Sequence, residues 1–194
     1  RRIFVAPIDA RLFAVDASTG AVCSDFGEQG VIDLRQGLRR PPKSKDEYQT
    51  TSPPAILGSL VIIGSSVADN NRTLMPSGEV RAFDARTGKL QWTWHSLPAD
   101  LEAGAANAWS LLSVDESRNL VFVPTGSSSP DYYGGKRPGD NRFANSVTAL
   151  DGKSGKLVWS FQTVHHDLWD YDVASQPLLF TLRRDGRGIP AVAI

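Results

Sequence analysis

The sequence predicts an all-β protein, and three observations carry that prediction. Strand-sized apolar runs recur along the whole chain. Stretches with helical periodicity are nearly absent. One hairpin signature returns three times.

In chain order, strands are expected at residues 3–6, 11–15, 60–64, 79–83, 90–94, 120–124, 146–150, 156–161 and 177–182. Gly, Pro, Asn, Asp and Ser punctuate them. Some alternate in polarity, as a half-buried strand does. Leu60-Val61-Ile62-Ile63 is continuously apolar and suits a strand buried on both faces.

The repeat organises the chain. Phe13-Ala14-Val15-Asp16-Ala17-Ser18-Thr19-Gly20 matches Ala82-Phe83-Asp84-Ala85-Arg86-Thr87-Gly88, and both match Ala149-Leu150-Asp151-Gly152-Lys153-Ser154-Gly155. An apolar strand ends at Asp, whose side chain with Ser or Thr bonds the local backbone in a tight turn. Gly supplies a positive φ. In the second and third copies a Trp follows four residues later, Trp92 and Trp159, placed to pack on a neighbouring sheet. The first copy has Ser24 there. A hairpin repeated at long period argues for a β-propeller with extended loops. Propellers close with about 4–8 blades. Roughly three repeats are read here, so residues 1–194 are expected to be part of one larger propeller domain.

Bulk properties narrow the function. The 194 residues suffice for one domain with a sizeable core. The 21 basic and 21 acidic residues balance, which leaves no electrostatic footprint for nucleic acid. No apolar run approaches the ~20 residues of a membrane helix. Cys23 is alone, so no internal disulfide forms.

Three segments after strands carry the chemistry. Ser65-Ser66-Val67-Ala68-Asp69-Asn70 follows the first apolar strand of the second repeat. Thr125-Gly126-Ser127-Ser128-Ser129-Pro130 follows the strand at 120–124. His165-His166-Asp167-Leu168-Trp169-Asp170-Tyr171-Asp172 packs two imidazoles, three carboxylates and two aromatic rings into one run. Arranged around an axis, the three are expected to converge on one face. An all-oxygen set such as Asp69, Asn70, hydroxyls and Asp170 suits Ca²⁺ or Mg²⁺ rather than Zn²⁺.

With these residues in place, the chain resembles the quinoprotein dehydrogenases, which use pyrroloquinoline quinone (PQQ). The Asp-x-x-Ser/Thr-Gly-Lys-x-x-Trp repeats look like their tryptophan-docking motifs. Residues 164–172, Tyr48-Gln49-Thr50-Thr51-Ser52-Pro53-Pro54, Asn107-Ala108-Trp109 and Ser129-Pro130-Asp131-Tyr132 are similar to the membrane-bound glucose, quinate and shikimate dehydrogenase branch. The resemblance implies an eight-bladed propeller. It implies Asp170 as the catalytic base, Asp69 and Asn70 as the metal pair, and Ser128 or Ser129 as a further metal or cofactor contact. Trp109 would stack under the quinone. It further implies PQQ with Ca²⁺ or Mg²⁺, a sugar or polyol substrate with glucose foremost, and ubiquinone as electron acceptor. The location it implies is the periplasm, with a membrane anchor outside this chain. The Cys-Cys pair of the alcohol and methanol branches is absent, which favours the sugar and polyol branch.

Other roles stand beside these. Asp170 has a loop cap as its rival role, and Asp172 is either metal-facing or solvated. His165 and His166 are pocket-shaping or simply packed. Asp167 reads as structural, Trp92, Trp94 and Trp159 as core or docking residues, Trp169 as pocket border or core, and Cys23 as a small buried hydrophobe. The rival functions are a non-catalytic envelope scaffold propeller and a calcium-dependent hydrolase.

Overall fold

In the computed structural model, which describes residues 1–194, the chain is almost entirely antiparallel sheet. The first sheet is β1 (Arg2–Val5), β2 (Arg11–Asp16) and β3 (Val31–Asp33). After β4 (Tyr48–Gln49) come β5 (Ala55–Leu57), β6 (Leu60–Ile63), β7 (Ser66–Val67), β8 (Val80–Asp84) and β9 (Leu90–Trp94). Of these, β5-β6-β8-β9 form a four-stranded blade, and β4 pairs with β7 beside it. A second such blade holds β10 (Ser113–Asp115), β11 (Leu120–Pro124), β12 (Ser146–Asp151) and β13 (Leu157–Gln162) in that order. The hairpin β14 (Leu178–Arg184) and β15 (Arg187–Ala193) follows. Every strand expected from the sequence is present, shifted at its ends by two residues at most. Strands β3, β5, β10 and β15 and the tiny pair β4–β7 lie outside these expectations. A run of two or three residues carries too little periodicity to be read, and Gly188 and Pro190 interrupt β15.

Sheets stack face to face through apolar side chains. Leu12, Ala14, Phe26, Val61, Ile63 and Phe83 fill the space between the first sheet and the first blade. Ile62, Val80, Ala82, Trp92, Trp94, Val121, Val123 and Leu150 fill the space between the two blades. Strand β6 therefore sends Val61 and Ile63 to one core and Ile62 to the other, as its continuous apolar run predicts.

The repeat is a capped turn. Asp16, Asp84 and Asp151 accept backbone N–H groups of the turn on Oδ1, from Ser18 and Thr19, from Arg86 and Thr87, and from Ser154. Gly20, Gly88 and Gly155 each return an N–H to the Asp carbonyl at 2.8 Å. The Trp of one blade docks on the turn of the next. Trp92 Nε1 donates to the Gly152 carbonyl at 2.9 Å. Its ring lies so close to Gly155 that a Cβ there would stand 2.6 Å from it, and φ of 66° also calls for glycine. In the first copy, which lacks the Trp, the backbone of Gly27 takes the docking place and donates to the Thr87 carbonyl. Within residues 1–194 Trp159 meets no such turn and is 39 % exposed beside Phe122.

Strand direction decides where the functional loops emerge. In an antiparallel four-stranded blade the second and fourth strands run the same way. Loops leaving β6, β9, β11 and β13 therefore open at one end of the blades, and the tight repeat turns close the other. The four open loops are residues 64–79, 95–112, 125–145 and 163–177. No helix is long and apolar enough to cross a membrane.

Candidate active site

Three of the four loops bring acidic residues together, and the fourth supplies Trp109. Asp69 comes from the loop after β6, Asp131 from the loop after β11, and Asp170 and Asp172 from the loop after β13. The Asp69 carboxyl is pushed above its ordinary value of 3.8, first by burial and then by the charge of Asp172. The Asp131 carboxyl is also pushed up, first by burial and then by the charge of Asp69. The expected convergence of the three segments is thus observed. No three acidic, histidine or cysteine side chains stand close enough to form a ready-made metal cage, so neutral oxygens are needed to complete any cation shell.

Trp109 is held where the loops meet. Its indole N–H donates to Asp172 Oδ2 at 2.6 Å, while Thr51 and Ser52 hydroxyls donate to its carbonyl. Asp172 Oδ1 accepts the Ser127 backbone N–H at 2.7 Å. Burial raises the Asp172 pKa although these donors oppose it. A side chain at Gly126 would run into the Asp172 carboxylate, with Cβ only 2.5 Å from Oδ2. Asp172 is therefore half-buried and engaged, neither solvated nor free.

Asp170 is exposed at the rim, with φ of 62°, a left-handed conformation that Asp tolerates. Its Oδ2 accepts the Tyr132 hydroxyl at 3.1 Å. Trp169 and Tyr171 flank it and stack on each other with ring centroids 6.2 Å apart. Trp169 is 62 % exposed and lies outside the cores formed by residues 1–194. His166 is packed against the Gly139 carbonyl, 2.7 Å from Nδ1, while His165 is exposed. Of the two candidate serines, Ser129 spends its hydroxyl on the Thr73 carbonyl and the Gly104 N–H. Ser128 is buried with a hydroxyl that meets no partner. Asn70 is exposed beside Asp69. Cys23 is half-buried at the edge of the first core.

Asp167 holds the loop together. It is 1 % exposed and accepts from Ser127 Oγ, Asn145 Nδ2 and the N–H groups of Trp169 and Tyr171. Burial alone would raise its pKa. The Ser127 hydroxyl and the three other donors outweigh it and hold the carboxyl below 3.8. A depressed folded-state pKa adds stability that is complete above the unfolded value and lost as pH falls through the lower folded one. Acidification below about pH 4 is thus expected to release the loop that carries Asp170. Fluorescence of the exposed Trp169 across an acid titration checks this. An unchanged signal down to pH 2, beside loss of global structure only, would contradict it.

The sequence missed two residues here. Asp131 lies in a motif to which the sequence assigns no role, and Tyr132 beside it meets Asp170. Only the pattern Ser-Pro-Asp-Tyr-Tyr hinted at either.

Comparison with known proteins gives the context of this arrangement. Residues 1–194 match the family described as PQQ: Glucose/ethanol/alcohol dehydrogenase, beta-propeller domain. The chain belongs to this family. Among relatives of this PQQ propeller, quinoprotein glucose dehydrogenase A of Acinetobacter calcoaceticus is 42% identical over 100% of the chain. Quinate/shikimate dehydrogenase (quinone) of Acinetobacter baylyi is also 42% identical over 100% of it. The chain covers 26% and 25% of these two proteins, about a quarter of their length. The solved quinohemoprotein alcohol dehydrogenase from Comamonas testosteroni superposes with a TM-score of 0.83 at 26% identity, over 98% of this chain and 30% of that one. The all-β propeller expectation is met at both levels.

Proposed function

We propose that this PQQ propeller chain forms part of a dehydrogenase that oxidises a sugar or polyol hydroxyl, with glucose the leading substrate. The observation that carries the reading is the gathering of Asp69, Asp131, Asp170 and Asp172 on one face, where Asp172 anchors Trp109. The names of the relatives support the substrate class and a quinone acceptor, which we take to be ubiquinone. A periplasmic location, with the anchor outside this chain, rests on the same kinship.

The residues present fit a hard cation. The donors are all oxygen, and the buried oxygens of Asp131 and Ser128 meet no hydrogen-bond partner. Asp69, Asn70 and Ser128 would hold Ca²⁺ or Mg²⁺, with Ser129 bracing the loop. The residues also fit a flat quinone. Trp109 offers a half-buried ring face whose orientation Asp172 fixes. When bound, PQQ supplies the hydride acceptor and the divalent ion supplies Lewis acidity.

The chain's own part is proton handling and placement. Asp170 takes the proton of the substrate hydroxyl. Tyr132 occupies its Oδ2, which leaves Oδ1 for the substrate. Asp167 keeps the loop in register, and the Trp169–Tyr171 pair walls one side of the entrance.

The test is reconstitution of the full-length protein with PQQ and Ca²⁺ or Mg²⁺, then dye-linked oxidation of glucose, other aldoses, polyols, quinate and simple alcohols. Turnover that needs both the quinone and the metal is expected, fastest with a sugar or polyol. A folded protein that takes up no PQQ and turns nothing over would overturn the reading in favour of a scaffold propeller.

A further inference from the structure

Asp131 is the one carboxylate of the cluster that nothing in the chain accounts for. It is 1 % exposed, and neither Oδ1 nor Oδ2 accepts a hydrogen bond from any protein group. Of the neighbouring carboxylates, Asp69 acts on it most strongly through its charge, ahead of Asp170 and Asp172. Two carboxylates are two acceptors, so they repel unless a proton or a cation lies between them. Burying an unpaired charge costs several kcal/mol.

The nearby cation attracts it but gives its carboxylate no hydrogen bond. Arg137 is buried behind Asp131, but its donors go elsewhere. Nε donates to the Pro130 carbonyl at 3.0 Å, Nη1 to Asn141 Oδ1, and Nη2 to the main-chain carbonyls of Asp131 and Asp167. Arg137 therefore fixes the backbone of Asp131 and leaves its carboxylate bare. The rest of the loop is equally rigid: Ser129 is bonded at both ends of its hydroxyl, and Asn141 returns its amide to the Arg137 carbonyl. The loop holds this carboxylate against Asp69 rather than letting it turn to solvent. Next to it in the chain, Ser128 keeps a second buried, unpartnered oxygen.

We propose that Asp131 is a cation ligand in its own right, and that Asp69 and Asp131 clamp one hard divalent ion between their carboxylates. The inference rests on the reading of this face as a cation and quinone site, and adds to it a second carboxylate, from the loop that also carries Ser128. Two carboxylates match the charge of one Ca²⁺ or Mg²⁺. Seated between the loop after β6 and the loop after β11, the ion would lock two blades together as well as serve the reaction. A cation bound to the folded form alone stabilises it in proportion to its affinity.

The experiment is calorimetric titration of Ca²⁺ into the chelator-stripped full-length protein, without quinone, for the wild type, Asp131→Asn and Asp69→Asn. Thermal unfolding with and without Ca²⁺ accompanies it. Both variants are expected to bind Ca²⁺ at least tenfold more weakly and to lose most of the Ca²⁺-induced rise in melting temperature. Metal-free Asp131→Asn should melt no lower than the wild type, because an amide facing Asp69 removes the repulsion between two carboxyls. If Asn at this position prevents folding, Asp131→Ser carries the same comparison. Wild-type affinity in the Asp131 variant, beside a weakened Asp69→Asn, would overturn Asp131 as a ligand and leave the site reading standing. A wild type that binds no cation would overturn both.

Discussion

Asp170→Asn in the full-length, reconstituted protein is expected to lower turnover by about 10²–10⁴-fold, the usual contribution of a positioned base. The substitution keeps the shape and the contact with Tyr132 but removes the group that takes the proton. Asp170 lies exposed at the rim, and its side chain carries no burden in the core. Quinone uptake, followed by absorbance, and the melting temperature should therefore stay unchanged. The comparison separates chemistry from assembly: kcat falls while cofactor binding holds. Near-normal turnover would sink the assignment. The companion carboxylates would behave differently, since Asp172 anchors Trp109 and Asp167 anchors the loop, and losing either disturbs binding together with rate.

Trp92→Ala is expected to cost about 3–5 kcal/mol of folding stability, the range for deleting a large buried aromatic side chain. Trp92 is 7 % exposed, packs against Gly155 and donates its indole N–H to the Gly152 carbonyl. It thus joins the two four-stranded blades by packing and by a hydrogen bond at once. Trp92→Phe keeps most of the apolar surface and strands the carbonyl, so its cost should be nearer 1–3 kcal/mol. Trp159→Ala is the internal control. Its ring is far more exposed in this chain, and its loss should cost clearly less when the chain is studied as residues 1–194. Urea unfolding of the three variants gives the comparison. Equal losses at Trp92 and Trp159 would refute blade-to-blade docking as the origin of the effect.

Much of this architecture is written locally. The Asp–Ser/Thr–Gly signature specifies its turn within about five residues, because the Asp side chain and the positive-φ glycine act on neighbouring peptide groups. Long apolar runs such as Leu60–Ile63 declare their own burial. Short strands such as Ser113–Asp115 do not, since pairing with β11 holds them in place. The candidate base and metal pair were legible because family motifs name them. Asp131 and Tyr132 were not. Each is defined by what it faces, Asp69 across 62 residues of chain and Asp170 across 38.

The residue order alone therefore specified the longer strands, their repeat, the docking turns and the kinds of side chain available for chemistry. These depend on contacts a few residues apart, or on period. The tertiary structure decided which side chains meet. Antiparallel pairing sends every second loop to the same end of the blades, and stacking of the blades then brings four distant loops side by side. Burial at that junction takes Asp69 and Asp131 partly out of water and raises the pKa of both carboxyls.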